Sequence, residues 1–194
     1  MTATQDGKVT TVLIAAAAGI ATSPTMIKAI EFDGVVNSVR AVAMNAKSSF
    51  LPNVVLCSSM GTTQLPDTNG SGSGGHGGGD VFQAILHWKL NAEAFLSSSG
   101  IPSSIVKPCG LDDRLDHQNY TLFSGHFDQP SSNHGVTRTN VARVMIEAAG
   151  MIMRNRNNNN VPHHRFDLCS KPGPPITDYE KLIQDSRWEW EKYN

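Results

Sequence analysis

The chain has little charge, little cysteine and no long apolar run. Charged residues make up 17% of 194 positions, 16 Lys and Arg against 17 Asp and Glu. A formal net charge of −1 leaves no basic excess to neutralise a phosphate backbone, which argues against nucleic acid as the main partner. The longest apolar run, Val12 to Ile20, is Ala-rich and falls short of the ~18 residues a membrane helix needs. Only Lys8 precedes it as a base, with Asp6 before that, so it makes no convincing secretory signal. A soluble intracellular protein without a membrane span is expected. The three cysteines, Cys57, Cys109 and Cys169, are odd in number and far apart. With no C-x-x-C pair, they argue against a disulfide framework or structural zinc, and they read as reduced, small buried residues. No metal site is expected.

What is present suffices for one globular domain over residues 1–194. Hydrophobic residues reach 39%, enough to bury a core, and glycine (17) fills much of the rest. Val9 to Ala18 reads as a strand buried on both faces. Phe32 to Ala46 places Val35, Val36, Val39, Val42 and Ala43 on one helical face, and Asn53 to Cys57 is a second apolar strand. A glycine-rich stretch, 62–79, reads as a flexible loop. Asp80 then caps the clearest helical stripe: Val81, Ala84, Ile85, Trp88, Ala92, Phe95 and Leu96. Gly100 and Pro102 stop it before a third strand at Ser104 to Lys107. A polar segment follows, with a strand at Tyr120 to Phe123. Thr137 or Thr139 caps a helix that ends at Gly150, and Arg154 to Asn160 is a solvated loop. Arg165 to Cys169 is a fourth parallel strand. Thr177-x-x-Glu180 is a capping box opening the last helix. Strands alternating with amphipathic helices predict an α/β fold, a doubly wound parallel sheet with right-handed crossovers. Ligands in such sheets lie beyond the carboxyl ends of the strands.

Residues at those ends carry a resemblance. NVVLCSSMGT (Asn53 to Thr62), ILHWKLNAEAFLSSSGIPSSIVKPCGL (Ile85 to Leu111), TRTNVA (Thr137 to Ala142) and RFDLCSKPG (Arg165 to Gly173) resemble motifs of the atypical short-chain dehydrogenase/reductases, in the NmrA-like NAD(P)-binding branch. The resemblance covers roughly residues 9 to 190. It implies a partial Rossmann-like sheet lacking its first strands, because the chain starts at what resembles the family's fourth strand. The family's N-terminal glycine-rich phosphate loop is then missing. The literal G-x-G-x-x-G at Gly72, Gly74 and Gly77 stands too far from a strand to replace it. The implied cofactor is NADP or NAD, with NADPH expected to bind weakly or not at all without that loop.

The same resemblance implies the site. Lys89 holds the position of the Lys that contacts the nicotinamide ribose. Ile85 stands where the proton-donating Tyr would be, and Asn140 replaces an Asp. Ser59, or Ser58, matches the Ser that binds the substrate oxygen. Ser59 and Lys89 are therefore the candidate catalytic residues. Gly19, Ser58, Lys89, Pro108, Cys109 and Gly110 are the candidate cofactor contacts. His87 is the one titratable side chain within a turn that could replace Tyr, but it lies on another helical face. Adjacent His163 and His164 point oppositely on a strand and read as a solvated pair rather than metal ligands. Three functions compete: a reductase of a small carbonyl substrate, a silent subunit or scaffold, and a dinucleotide sensor without turnover. A bare edge at residues 9–16 implies that a homo-oligomer, a partner chain or the chain's own N-terminal residues cover that strand.

Overall fold

The computed structural model describes residues 2–5, 8–19, 22–46, 51–63, 80–115, 118–128, 135–155 and 163–187. Four of the described strands run parallel: β2 (Lys8–Ile14), β3 (Asn53–Cys57), β4 (Ser103–Pro108) and β6 (His163–Pro172). Two antiparallel strands close the ends, β1 (Thr2–Gln5) beside β2 and β5 (Tyr120–Gly125) beside β6. The sheet order is β1-β2-β3-β4-β6-β5. This is the Rossmann-like α/β sheet that the alternating pattern predicts.

Consecutive strand residues bury against opposite layers, which is why β3 and β4 are mostly apolar or small, with buried Asn53 and Lys107 as the exceptions. Val54, Leu56 and Ile105 pack with α2 (Gly34–Asn45) and α3 (Asp80–Ser98). Val55, Val106, Phe166 and Leu168 pack with α4 (Arg138–Asn155) and α5 (Tyr179–Asp185). Helix α2 continues back through a π turn (Ala29–Asp33) into α1 (Pro24–Lys28), capped by Ser23.

Several boundaries differ from the sequence reading. Helix α4 runs through Gly150 to Asn155, because Met151 and Ile152 beyond the glycine are buried. Arg154 is thus helical rather than part of a loop; residues 156–160 lie outside the described residues. Thr137, not Thr139, caps α4, accepting from the Asn140 amide at 3.2 Å. Asp178 caps α5 in place of Thr177, accepting from the Lys181 amide at 2.8 Å. His164 is 5% exposed, so only His163 fits the solvated pair; burial pushes the His164 imidazole down to about 4. The edge of β2 is covered by the chain's own residues, Thr2↔Val12 to Gln5↔Lys8, so a partner chain is not required over that length. The Gly72, Gly74 and Gly77 pattern lies outside the described residues.

Candidate active site

Lys89 and Glu93 stand one turn apart on α3, so both face the sheet where β2 and β3 end. Neither behaves as a surface residue. The Lys89 ammonium lies 2.7 Å from the Glu31 carboxylate, with side-chain exposures of 10% and 1%. Glu31 is turned inward from the π turn between α1 and α2; such turns interrupt the helical register and gather at functional sites. Its other oxygen accepts the Ala18 amide at 2.6 Å, tying the segment after β2 to the same carboxylate.

Glu93 organises the neighbouring side. Ser58, the residue after β3, donates its hydroxyl to Glu93 Oε1. Arg165 of β6 grips Glu93 Oε2 through Nε at 2.9 Å and Nη2 at 2.6 Å. Ala16, Glu31, Val35, Leu56, Cys57, Ser58, Lys89 and Ala92 line one narrow recess of about 10 Å³, the room of a water molecule. Burial pushes the Cys57 thiol up, Lys89 opposing and Glu31 reinforcing, so this sulfur stays protonated near neutrality.

The structure brings Ser58 and Lys89 to one recess. Lys89 is not a snorkelling surface lysine. Ser59 does not line the recess, and its hydroxyl donates to the Met60 carbonyl at 3.0 Å. Both serine protons are thus committed within the chain, and toward a ligand these oxygens offer lone pairs. Gly19 is exposed, closing a turn with the Thr22 amide at 3.0 Å. Pro108 ends β4 and accepts the Met60 amide at 3.0 Å, while exposed Gly110 accepts Val136 at 2.9 Å. Cys109 is not a free turn residue: it is disulfide-bonded to Cys169, with Cα atoms 5.3 Å apart. The expectation of three reduced cysteines is therefore corrected, and Cys57 is the free thiol. His87 is exposed, stacked edge-on to Trp88 at 4.9 Å, and lies off the recess. Among the described residues no group of His, Cys, Asp or Glu is placed to hold a metal.

A second buried ion cluster stands at the ends of β4 and β6. Lys107 pairs with Asp128 and lies 3.3 Å from Asp167. Asp128 also accepts the amide and hydroxyl of Thr63, joining the segment after β3 to the one after β5. The sequence reading missed Glu31, Glu93 and this cluster. The four-residue spacing of Lys89 and Glu93 was an available signal for one of them.

The family described as NAD(P)H-binding matches residues 3–151. The chain belongs to that family. Sanguinarine reductase of Eschscholzia californica is 30% identical over 144 residues, covering 71% of this chain and 46% of that protein. An uncharacterised chloroplast protein of Arabidopsis thaliana is 29% identical over 143 residues, covering 71% of this chain and 39% of its own length. The chain thus spans less than half the length of these curated relatives. A Bacillus halodurans structure, described as an NAD-dependent epimerase/dehydratase, superposes with a TM-score of 0.63 at 19% identity, over 91% of this chain and 70% of that one. An oxidoreductase from Lactococcus lactis gives 0.54 at 14%, over 89% and 67%. These structures share the Rossmann-like fold, and the family match is consistent with the atypical, NmrA-like NAD(P)-binding branch that the strand-end motifs indicate.

Proposed function

We propose that the chain is the substrate-side part of an NAD(P)H-dependent reductase in which Lys89, held by Glu31, supplies the positive charge beside the reacting carbonyl. The carrying observation is the buried Lys89–Glu31 pair at the carboxyl ends of parallel strands. The residues fit the nicotinamide half of the cofactor. Ala15, Ala16 and Ala17 are small and exposed after β2, and Lys89 keeps two N–H groups beyond the one aimed at Glu31. Among the described residues no turn of closely spaced glycines leads from a strand into a helix, so the pyrophosphate half has no cradle there.

Bound NAD(P)H supplies a hydride; the protein's work is to place charge and protons. Ile85 has no proton to give, and the Ser58 and Ser59 hydroxyls donate internally. The Lys89 ammonium is therefore the donor aimed at the developing alkoxide, with Glu31 fixing its position. Ser58, anchored by Glu93 and Arg165, accepts a hydroxyl or N–H from the ligand. Reduction of sanguinarine, the compound in the name of one relative, is a candidate chemistry.

The test is NADPH oxidation against a panel of quinones, small ketones and iminium compounds, with Lys89→Met as the control. Turnover that falls at least 100-fold in the variant supports the reading. Turnover insensitive to Lys89 overturns it. Dinucleotide binding without turnover of any substrate would favour the sensor reading, which the internally committed serines also support.

A further inference from the structure

Cys109 and Cys169 take no part in the chemistry proposed for Lys89, yet they stand where several segments are tied together. Pro108 and Leu168 are register partners, so the disulfide joins the next residues along β4 and β6. The Cys109 amide donates to the Leu168 carbonyl at 2.9 Å, and the Met60 sulfur lies 3.6 Å from Cys109 Sγ. One residue on, Gly110 receives the Val136 amide at 2.9 Å, and Asp112 donates back to the Val136 carbonyl at 3.1 Å. Gly110 and Gly135 abut so closely that a Cβ at Gly135 would fall 2.2 Å from the Gly110 oxygen. The Ser170 hydroxyl fastens the Gly135 carbonyl at 2.5 Å. Thr137, the cap of α4, is two residues away.

We propose that Cys109–Cys169 is a thiol-exchange site, opened by a small thiol or dithiol reductant, and that opening it loosens the Pro108–Gly110 turn together with the start of α4. Exchange begins at Cys109, which is 7% exposed beside exposed Gly110, whereas Cys169 is 1% exposed. The reductant's thiolate bonds to the Cys109 sulfur, and Cys169 leaves as a thiolate and takes up a proton. A second reductant thiolate then displaces Cys109 as a thiolate, which is protonated in turn. Two electrons and two protons have moved to the protein, and the reductant departs as a disulfide.

The two thiols cannot stay at bonding distance. Cys169 lies inside β6, paired with Phe123 of β5 and one residue past the Pro108↔Leu168 pair. Cys109, in the turn, is the side that moves, and a close-packed interior passes the shift to Gly110 and Val136. Lys89 and Glu31 lie off this path, so the effect is on the order of the turn rather than on the ion pair. Any consequence for dinucleotide affinity rests on the reading of the cleft given above.

The experiment compares the full chain equilibrated with glutathione disulfide and with dithiothreitol. Acid quenching, denaturation and alkylation followed by mass spectrometry should find one blocked thiol in the oxidised form and three in the reduced form. Hydrogen exchange at residues 109–112 and 136–141 should accelerate at least ~10-fold on reduction. Cys169→Ser, or Cys109→Ala if that variant does not fold, should show the fast exchange with or without reductant. Three blocked thiols in the oxidised sample, or exchange unchanged by reduction, would overturn the proposal. If NADPH oxidation proves insensitive to Lys89, the reading of the cleft fails, while thiol count and exchange still decide this one.

Discussion

Single side chains decide the chemistry of the recess, and the buried ions make the sharpest predictions. Glu31→Gln leaves the Lys89 ammonium buried without a counter-charge, which costs about 3–5 kcal/mol. Adding Lys89→Met removes the orphan and should return most of that loss, so urea denaturation of the double variant should show a midpoint well above the single one. The Lys107 cluster makes a test with a sign. Burial works to raise the Asp128 carboxyl, but hydrogen bonds from Lys107 and Thr63 overrule it and hold it below the usual range. Its contribution is present above the unfolded value of ~3.9 and is lost as pH falls through the lower folded value. Asp167 is pushed up, chiefly by burial, against the pull of Lys107. Its ionisation costs stability above its folded value, and that cost is relieved as pH falls through it. Asp128→Asn should therefore lose about 3 kcal/mol at pH 7, because it removes the nearer counter-charge of Lys107 and leaves only Asp167 at 3.3 Å. Asp167→Asn keeps an acceptor for the Asp128 amide, 2.8 Å away, and should be close to neutral at pH 7 and less favourable near pH 4. Chemical denaturation at the two pH values reads both, and equal losses at pH 7 would sink the assignment. Lys89 and Ser58 were legible because their motif and strand end named them. Glu31 was not, since the π turn rotates it inward without leaving a helical stripe. The Cys109–Cys169 contact joins positions 60 residues apart, a separation that no local pattern reports.

Elements were legible where an apolar stripe and a stop signal coincided. Helix α3 follows its stripe from Asp80, and Gly100, at φ 73°, closes it in the left-handed region that glycine tolerates. Where signals competed, burial won. Gly150 reads as a stop, but the helix gains more by carrying Met151 and Ile152 into the core than it loses at one glycine. A glycine kept inside a helix is a liability of about 1 kcal/mol. A Cβ at position 150 would meet only the far end of Arg154, at 3.0 Å, a flexible arm held by exposed pairs with Glu147 and Glu180. Gly150→Ala should thus raise stability by up to ~1 kcal/mol, read as a higher melting temperature. A lower melting temperature would mean that Arg154 cannot give way. Thr177 and Asp178 show a similar competition: both offer a cap oxygen, and the chain uses the one nearer Tyr179, which packs against the core.

At the scale of the whole molecule, strand alternation was enough to predict the parallel sheet, while the two antiparallel end strands were harder to read. β5 was seen only as a short strand of unstated partner, and β1 was not seen at all, because four residues carry no period. Yet the need for β1 was visible: a continuously apolar strand at residues 9–16 leaves an edge of unpaired backbone groups that invites association. Thr2–Gln5 meets that need in cis along Lys8 to Val12. Its register shifts between Ala3 and Thr4, an irregularity of the kind that discourages further strands from adding to an edge. Removing residues 1–7 should therefore expose the unpaired backbone edge of Val9 to Val12 and convert the chain to dimers or larger species. Light scattering at increasing concentration measures this, with the full chain beside it as reference. Hydrogen exchange adds the local readout: amides of Lys8 to Val12 bonded to β1 should lose protection in the truncated chain unless a second copy restores it. A truncated chain that stays monomeric, with those amides exchanging freely, would show that the edge tolerates water and that β1 serves some other end.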